Sequence, residues 1–271
     1  MDDQRIREMA AAMRRKILDI SLACNTSVHL GGGLSMVDIL ATLYGRVLHF
    51  DPNNPTWEDR DRFILSKGHG VLGFFSALVV SGIISEAEFG TFMTNGSHLI
   101  AHPVMNLSLG IESSNGSLGQ GLSMGIGLAL AALKKEKSHK IYVMLGNGEC
   151  NEGSVWEAAI SAAHYKLKNL TAIIDHNGLQ SDGRSEIVMD FGDFADKWKS
   201  FGWDVHLIDG HDLSAIHAAL VHPNRGDRPK AIIAQTIKGK GVSFMENANE
   251  WHHNRLTKAN HEKALLEMEG Q

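Results

Sequence analysis

Ile141-Tyr142-Val143-Met144-Leu145-Gly146-Asn147-Gly148-Glu149 decides how this chain folds. The unbroken apolar run reads as a strand buried on both faces, and it stops at a turn flanked by two glycines. Glu152 to Lys166 follows at helical spacing. A second apolar run, Leu170 to Ile174, ends on Asp175-His176-Asn177-Gly178. This is one β-α-β unit with oxygen-bearing side chains at the carboxyl ends of both strands. Open parallel sheets bind their ligands at that edge. Asn147 and Asn177 each offer an amide oxygen there, and the backbone carbonyl near Leu179 offers another. Hard divalent cations take oxygen donors of this kind and fill the rest of their shell from phosphate and water. The paired clusters therefore point to a diphosphate held through a cation.

Outward from this unit, helices and strands keep alternating. Ile6, Met9, Met13, Ile17 and Ile20 recur at helical spacing. Ser35, after the glycine run Gly31-Gly32-Gly33, is positioned to cap a helix reaching about Leu48. Arg62 to Leu65 reads as a short strand, His69 to Val80 as a buried helix and Glu86 to Met93 as a shorter one. Asn95 to Ser117 is long, polar and without periodicity, the pattern of a functional loop. Leu118 to Lys137 reads as a helix whose small residues allow close packing. Downstream, Asp193 to Ser200 and Leu213 to Val221 read as helices, Trp203 to Ile208 and Ala231 to Thr236 as strands, and Glu262 to Met268 as a closing helix. The pattern predicts an α/β fold: a mostly parallel sheet with helices on both faces, in one domain over residues 1–271.

Composition narrows the function. A net charge of -5 gives no basic footprint for nucleic acid. The two cysteines, Cys24 and Cys150, form no disulfide framework. The polar start, Met1 to Arg5, is no secretory signal, and no apolar stretch is long and uninterrupted enough for a bilayer. A cytoplasmic protein is expected.

Five stretches, the central unit among them, stand in a definite order. They are Ser27-Val28-His29 with Gly31 to Ser35; Asp61 to His69; Gly116-Ser117-Leu118-Gly119-Gln120-Gly121; the central Gly146 to Ala158 with Asn169-Leu170 and Asp175 to Asn177; and Thr236 to Gly241. Together they resemble the thiamine diphosphate signature of transketolases, with the match closest to the N-terminal, diphosphate-binding subunit of split transketolases. The similarity covers nearly the whole chain. It implies that Asn147, Asn177 and the Leu179 carbonyl hold the metal, Mg2+ or else Ca2+ or Mn2+. Gly148 and Glu149 would lie at the diphosphate, together with His69. Gly116, Ser117 and Leu118 would lie against the aminopyrimidine ring. His29, His69, His102 and His252 would face the reacting carbon and the sugar hydroxyls, with His253 the competitor for the last place. Glu152 and Glu157 would join the carboxylate network that links paired cofactor sites at the subunit interface.

The implied activity is transfer of a two-carbon ketol unit from a ketose phosphate to an aldose. A C-terminal subunit, the pyrimidine-binding half, would supply the glutamate that activates the cofactor, in an α2β2 assembly; no stretch up to Gln271 resembles that half. Two departures from the family pattern matter, at Asn147 and around His102, and a third, at Leu30, is smaller. Asn147 stands where aspartate is usual, Ala101 and Val104 flank the His102-Pro103 pair where glycine and an acid are usual, and Leu30 follows His29 in place of proline. Asparagine keeps an oxygen but removes a charge facing the cation, so weaker metal binding is expected. Two alternatives follow: a related thiamine enzyme acting on oxo acids or deoxyxylulose phosphate synthesis, and a non-catalytic or regulatory subunit.

Overall fold

The computed structural model describes residues 3–269. The Met1-Asp2 part of the polar start and the last two residues lie outside them. Five strands form one sheet: β1 (Arg62–Leu65), β2 (Ile141–Gly146), β3 (Leu170–His176), β4 (Asp204–Asp209) and β5 (Lys230–Gln235). Their order is β1-β2-β3-β5-β4, with every neighbouring pair parallel. The α/β expectation holds.

Alternation along the strands explains why they read as continuous apolar runs. Tyr142, Met144, Ile173 and Ile232 face a core built with the N-terminal helix Asp3–Ala23 and the helices Val71–Val80 and Leu213–Val221. Ile141, Val143, Leu145, Ala172 and Ile174 face the opposite core, closed by helices Gly121–Lys134 and Gly153–His164. A strand covered on both faces leaves little room for polar side chains before its carboxyl end. Gly125 shows why the former helix carries small residues: a Cβ there would stand 2.5 Å from Val143 Cγ2.

The register places the rim. Gly146 pairs with Asp175, so Asn147 and Asn177 emerge at the same edge of the sheet. The Asn147 N–H donates to the Asp175 carbonyl at 3.2 Å, extending the ladder one step past β2. The chain then skips a place: β4 forms the sheet edge, and β5 returns between β3 and β4. That return delivers Thr236 and Lys238 to the rim beside Asn177.

Two helix starts differ from the expectation. The turn Gly31–Leu34 precedes Ser35, Val37–Thr42 follows, and Leu43–Val47 widens into a π-helical turn. Ser35 is fully buried, and its hydroxyl donates to Asp175 Oδ2 at 2.6 Å. It serves the rim instead of capping a helix. Leu118 to Gln120 likewise stay outside the helix that begins at Gly121. Among the described residues, no helix is long and apolar enough to cross a membrane.

Candidate active site

Asp175 organises the rim. Its side chain is 0% exposed, and it receives the Lys67 ammonium, the Ser35 and Thr236 hydroxyls and the Asn177 amide. Burial alone raises a carboxyl pKa. Here Lys67 and the hydroxyl donors prevail and hold Asp175 below its ordinary value. Lys67, on the turn after β1, also donates to the Gly32 carbonyl at 2.8 Å. One buried ion pair therefore ties the β1 turn, the glycine turn and the end of β3 together.

Above it opens a cleft of about 390 Å³, lined by Asn147, Gly148, Asn177, Leu179, Gln180 and Lys238 among others. The two asparagines thus converge on one space. Asn177 Nδ2 donates to Asp175 Oδ2 at 3.0 Å, which fixes the opposite direction for its oxygen. That oxygen accepts the Leu179 N–H at 3.1 Å and keeps a second lone pair. The Asn147 amide satisfies every neighbour when its nitrogen donates to the Asp175 carbonyl at 3.2 Å. Its oxygen then accepts from Ser185 Oγ at 2.5 Å and the Gly148 N–H at 3.2 Å; a cation would take the place of the Ser185 hydroxyl, which can rotate away. Gly148 must be glycine for this approach, since a Cβ would meet Gln180 Cγ at 2.9 Å.

The donor set fits the groups implied by the sequence. Amide and carbonyl oxygens suit a hard divalent cation. Lys238 supplies buried positive charge at the cleft, as an anionic diphosphate requires, whereas the charge of Lys67 is met by Asp175. Burial, then the neighbouring Lys67, brings Lys238 down to about 8. Its ammonium donates to the Gln180 carbonyl at 3.2 Å and to His252 Nδ1 at 2.7 Å. An ammonium only donates, so Nδ1 of His252 is the acceptor and its proton sits on Nε2.

His29 stands at the centre of the imidazoles. The rings of His69, His102, His252 and His253 lie 5.4, 5.9, 5.3 and 4.5 Å from its own. Burial, reinforced by His253 and His252, lowers the His29 pKa to about 3. Burial and Lys238 lower that of His252 to about 4. Burial also takes His69 well below the usual value. These three are neutral donor–acceptor groups at neutral pH. Of the two adjacent histidines, His252 lines the cleft, while His253 is exposed and packs on His29 from outside.

Stability should depend on pH accordingly. The unfolded chain, with histidines near 6.5, binds more protons than the folded one between about 4 and 6.5. Their contribution is complete above pH 6.5 and is lost as pH falls below it. A His29→Gln/His252→Gln variant should show a shallower loss of stability in denaturant titrations over that window. An unchanged slope would contradict the neutral cluster.

The remaining expected residues divide. Gly116, Leu118 and Glu152 line the cleft, whereas Ser117 and Glu157 are exposed and outside it. Glu149 borders the cleft, but its carboxylate accepts from Ser66 Oγ at 2.5 Å and from the Gly119 and Gly146 N–H groups at 2.9 and 3.0 Å. It braces the loop that carries Leu118. Ser35, Lys67, Asp175, Gln180 and Lys238 were not among the site residues expected from sequence. The only signal for them was their place inside or beside the quoted motifs.

Residues 6–268 match the family described as transketolase, thiamine diphosphate binding domain. The chain is 41% identical to one of the subunits of the apulose-4-phosphate transketolase of Actinobacillus succinogenes, over 92% of this chain and 90% of that protein. It is 40% identical to a 6-deoxy-6-sulfo-D-fructose transketolase subunit of a Clostridium species, over 89% and 88%. The transketolase structure from Campylobacter jejuni superposes with a TM-score of 0.92 at 31% identity, covering 99% of this chain and 43% of that one. With its sheet order, its rim of converging oxygens and this match over nearly its full described length, the chain belongs to the family of transketolase thiamine diphosphate binding domains.

Proposed function

We propose that this chain is the diphosphate-binding subunit of a two-subunit transketolase, acting on sugar phosphates in the cytoplasm and reading as one domain over residues 1–271. The observation that carries it is the convergence of Asn147, Asn177 and Leu179 on a cleft that also holds two buried lysines and a neutral histidine cluster. The naming of the relatives as subunits supports the division of labour. Exposed Ile100, Val104 and Met105 around His102 offer apolar surface for a C-terminal partner to cover, in an α2β2 assembly.

Bound here, thiamine diphosphate supplies the electron sink for carbon–carbon cleavage. The chain does the rest. Asn147, Asn177 and the Leu179 carbonyl would hold magnesium, Lys238 would neutralise phosphate charge, and the neutral His69 would donate a hydrogen bond to a phosphate oxygen. Leu118 and Gly116 would pack against the ring system. His252, its Nδ1 held by Lys238, presents an Nε2–H to a substrate oxygen. His29, neutral and lone-pair bearing, can accept a hydrogen bond from a substrate hydroxyl. With a partner present, ketose phosphates should act as donors and pyruvate should not; the reverse preference would sink the transketolase reading.

Asn147 leaves a trace in metal affinity. An Asn147→Asp variant should bind Mg2+ roughly 10-fold tighter in the presence of cofactor, since ligand charge sets affinity. Its gain is limited by the Asp175 carbonyl, which faces the amide nitrogen at 3.2 Å and would repel a carboxylate. Thermal stabilisation titrated with magnesium measures it. Equal affinity in both proteins would show that the missing charge is immaterial.

A further inference from the structure

At the opposite end of the sheet from the cleft, Asp204, His206 and His222 bring one donor atom each within 4.8 Å of one another. We propose that these three side chains form a second metal site, for a borderline transition cation such as Zn2+, clipping the edge strand β4 to the C-terminus of helix Leu213–Val221.

The local sequence builds it. Asp204 and His206 are two apart at the start of β4, so they project from the same face. The helix after β4 runs back along the sheet and ends at His222, its C-cap residue. Each donor is prepared. His222 Nδ1 lies 2.7 Å from the Pro223 carbonyl, which can only accept. Nδ1 therefore carries the proton and Nε2 is left with its lone pair, the arrangement by which a backbone carbonyl orients a metal-binding imidazole. His206 Nε2 is buried and makes no hydrogen bond, although Asp204 Oδ2 is 3.4 Å away. Asp204 is 4% exposed and brings the negative charge.

Two cations border the site. Lys230 Nζ is engaged by the carbonyls of Ala219, Leu220 and His222 at 2.9, 3.3 and 2.5 Å, so its charge is met by the helix end. Arg225 Nε is 3.6 Å from Asp204 Oδ1 on a side chain 81% exposed, free to swing into solvent. Two imidazoles and one carboxylate select zinc, cobalt or nickel over magnesium and calcium. Tetrahedral zinc at about 2.0–2.1 Å per bond needs donors about 3.4 Å apart. The exposed His222 ring, at a helix end, is the one able to close that difference.

The test uses the untagged full-length chain, stripped with chelator and titrated calorimetrically with Zn2+ alone; Co2+ loading gives a ligand-field spectrum. One zinc per chain should bind at this site. His206→Gln and His222→Ala should each weaken that binding at least ~10-fold and alter the cobalt spectrum, with His252→Gln leaving both unchanged. Two variants keep the test valid if the partly buried His206 proves necessary for folding. The proposal is overturned if wild-type protein binds no zinc, if both variants bind it like wild type, or if only His252→Gln loses it, which would place the ion in the cleft.

Discussion

An Asp175→Ala variant should lose ~3–5 kcal/mol of stability in denaturant titrations, together with measurable binding of thiamine diphosphate. The stability loss follows from Lys67, whose side chain is 1% exposed and would keep its charge with no counter-ion. The binding loss follows from Asn177, whose amide takes its direction from Asp175 Oδ2. The two effects are separable. Pairing Lys67→Met with Asp175→Leu removes both charges and should recover much of the stability, because a buried ion pair gives little net gain over apolar replacements. Cofactor binding should not return, since Asn177 remains unsupported. An Asp175→Ala protein with wild-type stability would show that the ion pair does not hold the rim together.

The isolated chain should turn over ketose phosphates at least ~10²-fold more slowly than the same chain mixed with its C-terminal partner, the range lost when a positioned acid or base is missing. In the proposed reading the chain's own side chains would bind and orient, with oxygens for the cation, Lys238 for phosphate charge and imidazoles for sugar hydroxyls. Glu149, the most buried carboxylate at the cleft, is occupied by Ser66 and two backbone amides and is unsuited to activating the cofactor. The proposed division of the site would leave that role to a carboxylate of the partner subunit. Burial raises the Glu149 pKa against the pull of those three donors, consistent with a bracing group. Steady-state assays over a range of partner ratios measure the dependence. Full turnover by the chain alone would contradict the division of the site between two subunits.

What the sequence revealed had strong periodicity or strong punctuation. β1 and the helix Leu213–Val221 fall where their patterns place them, and the central β-α-β unit carries its asparagines to one rim as its turns require. What it hid depends on partners far along the chain. Lys67 meets an aspartate 108 positions away, and no local pattern announces that pair. Lys238 and Lys240 look alike in Lys238-Gly239-Lys240, yet the first is buried against His252 and the second pairs with Glu246 near the surface. Ser35 reads as a helix cap because serine is favoured at that position, but its hydroxyl donates to a buried carboxylate instead. His252 and His253 could be told apart only once Lys238 was seen to bond the first.

The most direct test is a crystal structure of the chain soaked with thiamine diphosphate and Ca2+, read for the anomalous signal of the ion. One calcium peak should lie about 2.3–2.6 Å from an amide oxygen of Asn147, an amide oxygen of Asn177 and the carbonyl of Leu179, with diphosphate oxygens completing its shell. A diphosphate bound elsewhere, or an ion touching neither asparagine, would contradict the site on which the assignment rests.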